Sequence, residues 1–447
     1  MKKMKRLLLL ALLLPSALAV TAGNVTMKTV RDVGQTLSIA VNAGIPLTLT
    51  WGDGTVETTV STGLLQDFTV KDASLTLSSD QDITSLYLAD NELSELSVAG
   101  IGSTLRRLFC PGNILTTLNL SACTHLVSLD CQGNRLSSLN IVSSELEDLN
   151  EADNRLTNTG LRSGTGLTSV ICANNRLTAL NSVGNQTGLQ TLFFQGNSVS
   201  AATLSRCVEL INVLGFENNL SAFNAAPLTK LQNLWLGDNR LTSLDLTDNT
   251  ELVSLCVQNN KIAELVTTSA HSRALKFIDL SNNQLFFNSF PTIYKAGSQT
   301  YSIEGAVAPQ EPFKLLSDMD VNVRSEQLTS ILGRNAWSAP TGLKLVFRND
   351  KDEELQAGTD YTYSGYRITF LKPHTGVVIT ATSPNYPGVE LTTVPINVSD
   401  PTGIRQIENG ELETENAAIY DIQGRKVGQE RLTKGIYIVN GKKVVVK

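Results

Sequence analysis

The chain has 447 residues, of which 41% are hydrophobic and 17% charged, and its formal net charge is −6. This composition excludes a largely disordered chain and provides enough apolar residues for a sizeable core, spread over roughly two to four modules. The acidic balance also argues against nucleic acid and anionic membranes as partners.

Residues 1–19, MKKMKRLLLLALLLPSALA, combine a basic start, an apolar run and a small-residue pattern at Ala17 and Ala19. This arrangement predicts a signal peptide. The apolar run is short for a membrane span, and Val20 stands where a lipoprotein would have a cysteine. Removing the four basic residues of this segment from the total of 36 leaves 32 basic against 42 acidic residues. We therefore expect an exported protein, secreted or on the outer surface, with no transmembrane segment after signal removal.

Residues 20–82 are predicted to form an N-terminal β cap. The segment IPLTLTWGDGTVETTV, residues 45–60, reads as two strands joined by an Asp-Gly turn. Its WGDG element, Trp51 to Gly54, resembles one found in small exported β modules of the polycystic kidney disease type. Because the end of a repeat array exposes an apolar face, we expect this segment to cover the first of the repeats that follow.

Residues 83–290 contain ten copies of the pattern LxxLxLxxNxL, such as LVSLDCQGNRL at 126–136 and LQNLWLGDNRL at 231–241. The pattern resembles the leucine-rich repeat family, and its fixed period predicts a solenoid with a short parallel β ladder and a mostly irregular convex side. The asparagine amide has donors and acceptors that can satisfy backbone groups between coils. The repeated asparagines are Asn91, Asn113, Asn134, Asn154, Asn175, Asn197, Asn218, Asn239, Asn260 and Asn283.

The sixth pattern position should point into the core. Cys110, Cys131 and Cys172 occupy it in three copies, and we expect buried free thiols, because neighbouring parallel strands fit disulfide geometry poorly. Glu151 occupies it in the copy that is one residue short. Since an unpaired buried carboxylate is costly, we expect a local register shift that turns Glu151 outward, and a functional carboxylate is the alternative.

The chain after the repeats is predicted to be all β. Residues 291–305 are interpreted as a linker and residues 306–400 as an immunoglobulin-like sandwich. The end, residues 401–447, contains YDIQGR at 420–425 and GIYIV at 435–439. These motifs resemble the C-terminal sorting domain of the type IX secretion pathway in the Bacteroidetes, and the alternative is a simple three-stranded meander.

Catalytic motifs are missing from the sequence. His125, His271 and His374 are its only histidines, none lies in a motif, and each is predicted to be a solvated surface side chain. There is no GxSxG, HExxH, P-loop, Rossmann glycine pattern or zinc spacing. The sequence therefore predicts a protein without catalytic residues, cofactor or metal.

The fifth pattern position should point outward and form a row across the ladder, with about 4.8 Å between coils. Four successive copies have apolar residues there, which predicts an exposed contact surface. Coverage of these side chains by another part of the chain is the alternative. The predicted ligand-binding residues are Ile171, Phe193, Leu214, Phe216 and Trp235, with Asp130, Asn150 and Asp148 as a polar rim and Phe277 nearby.

The predicted function is binding. The resemblance of the repeats to leucine-rich repeat proteins implies a non-catalytic protein that presents a concave face to a macromolecule, usually a protein and sometimes a glycan. The alternatives are a carbohydrate-active enzyme, an accessory glycan-binding component, and a structural adhesion component that self-associates through its terminal β modules.

Overall fold

The computed structural model describes two long stretches and several short ones. The described ranges are 23–161, 166–285, 304–306, 344–364, 367–383, 390–393, 395–398, 405–407, 419–421, 423, 425–427, 435–439 and 442–446. The predicted signal peptide lies outside them. The chain divides into two compact units, Met1–Arg240 with Asp248–Ser254 and Leu241–Thr247 with Leu255–Lys447. No helix in the described ranges is both long enough and apolar enough to span a membrane.

The first unit begins with an antiparallel β module. Five strands form a sheet in the order β4-β3-β6-β1-β8, while β2 pairs with β5 on one side and with β7 on the other. Since β7 belongs to the first repeat, this pairing covers the edge of the ladder, as a cap requires. The strands are β1 (Gly23–Thr29), β2 (Thr36–Val41), β3 (Pro46–Trp51), β4 (Val56–Val60), β5 (Gln66–Thr69), β6 (Ser74–Ser79), β7 (Ser85–Tyr87) and β8 (Leu93–Ser97).

The predicted Asp-Gly hairpin joins β3 to β4. The amide of Gly54 donates to the carbonyl of Trp51 at 2.9 Å, and Gly54 has a φ of 88°, which glycine adopts without strain. The Asp53 carboxylate accepts hydrogen bonds from the amide and hydroxyl of Thr55, and these bonds lower the pKa of Asp53. Trp51 is buried in the module, so the WGDG element contributes to its core.

The repeats of this unit form a parallel ladder of three-residue strands, which confirms the predicted solenoid. The outer residues of each strand face away from the core and the middle residue is buried. Short 3-10 helices at Ala99–Ile101 and Val183–Asn185 lie in the return segments. The strands that continue from β7 are β9 (Arg107–Phe109), β10 (Ser128–Asp130), β11 (Asp148–Asn150), β12 (Ser169–Ile171), β13 (Thr191–Phe193), β14 (Asn212–Leu214) and β15 (Asn233–Trp235), paired in register.

The turn after each strand has one conformation throughout the repeats. The residue before every repeated asparagine has a positive φ, between 53° for Asp90 and 65° for Gly112. This left-handed backbone favours glycine, asparagine and aspartate, which accounts for all copies except the one with Glu217.

The repeated asparagines bond successive coils, as predicted. The Asn134 side-chain amide donates to the carbonyl of Cys131 in its own coil and to that of Cys110 in the preceding coil, both at 3.0 Å. Its Oδ1 accepts from the amide of Leu115, also at 3.0 Å. One amide therefore satisfies backbone groups of two coils that would otherwise be buried without partners.

The cysteines are buried free thiols, which confirms that prediction. Cys110, Cys131 and Cys172 have no solvent exposure, and Cys123, Cys207 and Cys256 are also buried. Burial raises the pKa of the Cys110 thiol to about 12. Such thiols have little thiolate character and react slowly.

The predicted outward turn of Glu151 is wrong. Strand β11 keeps register with β10 and β12, the amide of Glu151 donates to the Ile171 carbonyl at 2.8 Å, and the side chain is fully buried. The return segment absorbs the missing residue, so the strand does not shift. Desolvation raises the pKa of Glu151 to about 8, so the carboxyl is mostly protonated at neutral pH and avoids the full cost of a buried charge.

The second unit contains repeat strands of the same kind. Strands β16 and β18 are parallel neighbours, as are β19 and β20, and β20 lies at the end of the predicted linker. The elements are β16 (Ser243–Asp245), β17 (Ser254–Cys256, whose first residue belongs to the first unit), β18 (Glu264–Val266), α1 (His271–Ala274), β19 (Phe277–Asp279) and β20 (Glu304–Ala306).

The predicted solvent exposure holds for one histidine of three. His125 is half-exposed and is hydrogen-bonded to Glu145, with Nδ1 and Oε1 2.6 Å apart. His271 is fully buried at the start of α1, where its Nδ1 accepts from the amide of Thr268 at 3.0 Å. His374 begins β24 (His374–Thr382) and is largely buried. The prediction was wrong for His271 and His374, because the polarity of neighbouring residues in the sequence does not determine whether a side chain is buried in the folded protein.

The strands predicted after residue 342 are present. Strand β24 pairs with β21, β25 and β26, β22 pairs with β23, and Phe347, Phe370, Val377 and Ile379 form the centre of a small core. Residues 307–343 lie outside the described ranges, so the immunoglobulin-like sandwich stays a prediction. The remaining strands are β21 (Lys344–Arg348), β22 (Tyr361–Ser364), β23 (Arg367–Phe370), β25 (Glu390–Thr392) and β26 (Ile396–Val398).

The C-terminal strands form a sheet in the order β27-β31-β30-β28-β29, which has more strands than the three-stranded meander. Within YDIQGR, Asp421 Oδ2 and Arg425 Nε form an ion pair at 2.7 Å that closes the turn between β28 and β29. The strands are β27 (Arg405–Ile407), β28 (Ile419–Asp421), β29 (Lys426–Val427), β30 (Gly435–Val439) and β31 (Lys442–Val446).

Candidate functional site

The third residues of the ladder strands in the first unit form one continuous row, here called the ladder row. Strand pairing places each of these residues beside its equivalent in the next coil. Six of the eight predicted site residues lie in it. In order, the ladder row is Tyr87, Phe109, Asp130, Asn150, Ile171, Phe193, Leu214 and Trp235.

The apolar half of the ladder row is less exposed than predicted. Trp235 is 36% exposed, whereas Ile171, Phe193 and Leu214 are half-buried. At the spacing of adjacent strands, about 4.8 Å, side chains of this size cover part of one another. The preceding residue of each strand, such as Leu192 behind Phe193, is fully buried. Ile171, Phe193, Leu214 and Trp235 therefore form a shallow hydrophobic surface, here called the apolar ridge, over the buried residues of the core.

Trp235 is held by a hydrogen bond. Its Nε1 donates to the hydroxyl of Ser254 at 2.9 Å, and both residues belong to the first unit. The polar atom of the indole is thus satisfied inside the protein, so the ring can offer an apolar surface to a partner without desolvating an unpaired donor.

Phe216 lies just beyond β14 and is half-buried. The inward position of that coil is Gly215, where an added Cβ would lie 2.1 Å from the ring of Phe194. The large Phe194 ring and the missing side chain at Gly215 therefore complement each other. Phe216 follows directly and adds apolar surface beside the ladder row at Leu214.

A polar row runs beside the ladder row, formed by the first residues of the same strands. The Asn233 side-chain amide donates to Asn212 Oδ1 at 2.7 Å, and the Asn212 amide donates to the Thr191 hydroxyl at 3.4 Å. Asp148, a predicted rim residue, is exposed in this row. Apolar and hydrogen-bonding side chains thus lie side by side along the ladder.

Asp130 and Asn150 form a polar step in the ladder row. The Asn150 amide donates to Gln132 Oε1 at 2.8 Å, and Asp130 Oδ1 accepts from the Gln132 backbone amide at 3.1 Å. Burial raises the pKa of Asp130, and the hydrogen bonds that its carboxylate accepts from the Gln132 backbone amide and the Asn150 side chain oppose that effect. The step separates the apolar ridge from the beginning of the ladder.

A second apolar element at the beginning of the ladder was not predicted as part of the site. The rings of Tyr87 and Phe109 are stacked, with centroids 4.7 Å apart and planes at 2° to each other. Aromatic residues in two successive copies of the fifth pattern position were the sequence signal for this pair. Phe277, in the second unit, is exposed but occupies the first position of β19, which corresponds to the polar row.

The described residues contain no group of three or more His, Cys, Asp or Glu side chains arranged to hold a metal ion. Their ladder arrangement offers side chains suited to contact, with hydrophobic area beside fixed amides and hydroxyls.

No protein-family model and no curated protein sequence matches the chain. Several solved structures resemble it. The functional domain of InlJ from Listeria monocytogenes, which includes a cysteine ladder, is 20% identical over 73% of this chain and 93% of that chain, with a TM-score of 0.38. A leucine-rich repeat protein from Leptospira interrogans is 23% identical over 45% of this chain and 56% of its own, with a TM-score of 0.40.

YopM from Yersinia enterocolitica is 26% identical over 42% of this chain and 40% of its own, with a TM-score of 0.36. This chain therefore spans less than two thirds of the Leptospira and Yersinia proteins. The feature shared with these structures is the leucine-rich repeat solenoid.

Proposed function

We propose that this protein is an exported, non-catalytic binding protein whose ladder row contacts a protein partner. The observation that carries the proposal is the in-register apolar ridge of Ile171, Phe193, Leu214 and Trp235 beside the polar row. Partly exposed aromatic side chains with their polar atoms already satisfied are typical anchors of protein interfaces.

The ridge favours a partner with its own apolar anchors. Its side chains are spaced about 4.8 Å apart and present hydrophobic area with few polar groups. The neighbouring Asn212 and Asn233 amides supply the hydrogen-bonding rim that surrounds such anchors in specific interfaces. Asp130 and Asp148 add negative charge at one end, which favours a partner that is basic there.

A comparison of adjacent residues tests this function. Partners are captured from host and bacterial surface extracts with the chain lacking residues 1–19, and the affinity of the captured partner is measured for each variant. Trp235→Ala and Phe193→Ala should each weaken binding by about 2 kcal/mol or more, roughly thirty-fold, with little loss of stability.

Leu192→Ala is the matched control, because Leu192 precedes Phe193 but is fully buried. It should destabilise the solenoid by about 2 to 5 kcal/mol, and the folded fraction should still bind. The proposal fails if Phe193→Ala and Trp235→Ala destabilise the fold as Leu192→Ala does while binding is retained. Capture of glycan alone, lost in Trp235→Ala, would support the glycan-binding alternative instead.

Export and surface display form the second part of the proposal. The signal-like residues 1–19 and the YDIQGR and GIYIV motifs of the C-terminal module support it. A chain truncated after Asp400 should be exported and folded in the periplasm but absent from the cell surface. Unchanged surface labelling of the truncated protein would contradict a sorting role for the module.

A further inference from the structure

Strand β4 is a free edge of the N-terminal sheet. It pairs with β3 on one side, and no strand in the described part of the chain pairs with its other side. The opposite edge of the sheet, β8, is partly occupied, because Ser97 bridges to Asn119 of the next coil. The sheet therefore has one edge, β4, that no described strand occupies.

The hydrogen-bonding groups on this open edge can be assigned by alternation. Trp51 donates to the carbonyl of Thr55 at 2.8 Å, and Ser61 donates to the carbonyl of Ile45 at 2.9 Å. In an antiparallel pair every second residue bonds to the same neighbour, so Thr55, Glu57, Thr59 and Ser61 bond towards β3. Val56, Thr58 and Val60 consequently direct their backbone N–H and C=O groups away from β3.

The outward groups of the edge are largely unused. Gln66 Nε2 donates to the Val60 carbonyl at 3.3 Å, which is a long contact through a side chain. Neither Val56 nor Thr58 has a backbone partner on this side among the described residues. A second strand could therefore bond to β4 without displacing any backbone hydrogen bond.

Apolar side chains are exposed at both ends of this edge. Val56 and Val60 are 57% and 58% exposed, and Leu64 and Leu65, just beyond the strand, are 73% and 61% exposed. Natural edge strands are commonly protected by lysine, proline or bulges, and β4 has none of these. The only charge in β4 is Glu57, which accepts a hydrogen bond from Trp51 Nε1 at 3.2 Å.

We propose that β4 pairs with β4 of a second copy of this chain, antiparallel and centred on Thr58. The sequence Val-Glu-Thr-Thr-Val reads almost the same in both directions, so this register places Val56 opposite Val60 of the second copy. Glu57 then faces Thr59, and no like charges meet. Each outward residue exchanges two backbone hydrogen bonds with its partner, and the exposed valines form one apolar strip.

A second copy fits this edge better than a head-to-tail chain of molecules. Head-to-tail pairing would need β4 to bond to β8, where the Ser97 bridge to Asn119 already occupies part of the edge. Pairing of β4 with itself is two-fold symmetric and closes at a dimer. The pairing is independent of the ladder row, so failure of either proposal leaves the other standing.

Sedimentation velocity over the accessible concentration range tests the dimer, using the chain without residues 1–19. Thr58→Pro removes an outward N–H but no bond to β3, so it should abolish dimerisation in a folded monomer. Val60→Lys places a charge opposite the partner's valine and should weaken dimerisation at least tenfold. Val33→Lys is the control, because Val33 is 70% exposed but lies outside the strand, and it should dimerise like the unmodified chain.

Cysteine crosslinking tests the register. In the proposed dimer the two Thr58 residues face each other, with Cα atoms about 5.5 Å apart, which a disulfide can span. Thr58→Cys should therefore crosslink on oxidation, whereas Val60→Cys should not, because its equivalent lies about 13 Å away along the strand. The native cysteines are buried, so the introduced thiol is the reactive one.

Each result decides the proposal. The proposal is supported if Val60→Lys weakens the dimer, Val33→Lys leaves it unchanged, and only Thr58→Cys forms a crosslink. This holds even if Thr58→Pro fails to fold. A monomer at every concentration would overturn it, as would a dimer unaffected by Val60→Lys or one crosslinked equally well through Val60→Cys.

Discussion

Glu151 should make the stability of the solenoid depend on pH. Its carboxyl is fully buried, neither oxygen has a hydrogen-bond partner within the described structure, and the Cys131 and Cys172 thiols occupy the same inward position in the adjacent coils. Among the described residues no basic side chain compensates its charge, and desolvation is the cause of its raised pKa. We expect Glu151→Leu, which restores the residue type found at Leu88 and Leu236, to stabilise the protein.

The pKa of Glu151 determines the size of this effect. Burial raises it from 4.5 to about 8, a difference worth about 5 kcal/mol. Well below pH 4.5 this carboxyl is protonated in both the folded and the unfolded state, and its burial carries no charge penalty. As the pH rises, the unfolded state loses its proton first, so the wild-type protein loses stability. The loss should be about 1 kcal/mol at pH 5, about 3 kcal/mol at pH 7 and nearly 5 kcal/mol above pH 8.

Urea unfolding of the wild-type and Glu151→Leu proteins at pH 5, 7 and 8.5, followed by circular dichroism, would measure this loss. The stability difference between the two proteins should grow with pH, on top of a constant gain from burying leucine in place of a polar group. Glu147→Gln is the control, because Glu147 is exposed on the same coil. Its effect should be small and should not follow this pH dependence.

Two results would contradict a raised pKa of Glu151 in the folded protein. A stability difference between wild type and Glu151→Leu that is the same at all three pH values would mean that Glu151 does not bind a proton on folding. A less stable Glu151→Leu at pH 8.5 would mean that the carboxylate has a compensating partner in solution.

Two further predictions concern the inside of the solenoid. All six cysteines should resist a thiol reagent in the native protein and react fully after denaturation, because they are buried. Burial raises the pKa of Cys123 to about 11 and that of Cys110 to about 12. A Cys110 to Cys131 disulfide found by mass spectrometry would contradict this. Asn134→Ala should lower the unfolding free energy by about 2 kcal/mol or more, since it leaves buried backbone groups of two coils unpaired. Asn119→Ala, at an exposed asparagine, should cost less than about 1 kcal/mol. Equal effects of Asn134→Ala and Asn119→Ala would contradict a special role of the repeated asparagines in joining the coils.

The repeat architecture was predictable because each pattern position has one physical role. The asparagine has to bond two coils, the residue before it has to adopt a positive φ, and the leucine positions have to fill the core. These requirements recur in every coil, so ten copies specify the register of the strands more firmly than any single segment could. The WGDG hairpin was predictable for a similar local reason, because its turn is made by three consecutive residues, Gly52, Asp53 and Gly54.

The failures involve properties that a local pattern does not contain. Glu151 was expected to turn outward because its side chain was treated as charged, whereas burial changes its protonation. His271 and His374 lie in polar stretches, and their burial depends on residues distant in the chain. The open edge of β4 depends on the order of strands in the sheet, which the alternation of residues does not specify.

The solenoid separates positions that hold the fold from positions that are free to serve binding. In β12 to β15 the middle residue of every strand is fully buried and is Leu or Val, whereas the next residue is partly exposed and varies along the ladder row from Tyr87 through Asp130 to Trp235. Because each coil is stabilised mainly by its neighbours through the buried positions, the ladder row can change without unfolding the array. Its composition is therefore not imposed by folding. The same position also accepts aspartate and asparagine, so folding does not explain why four successive coils have apolar residues there. Contact with a partner would explain it, and the Phe193 and Leu192 variants test that explanation.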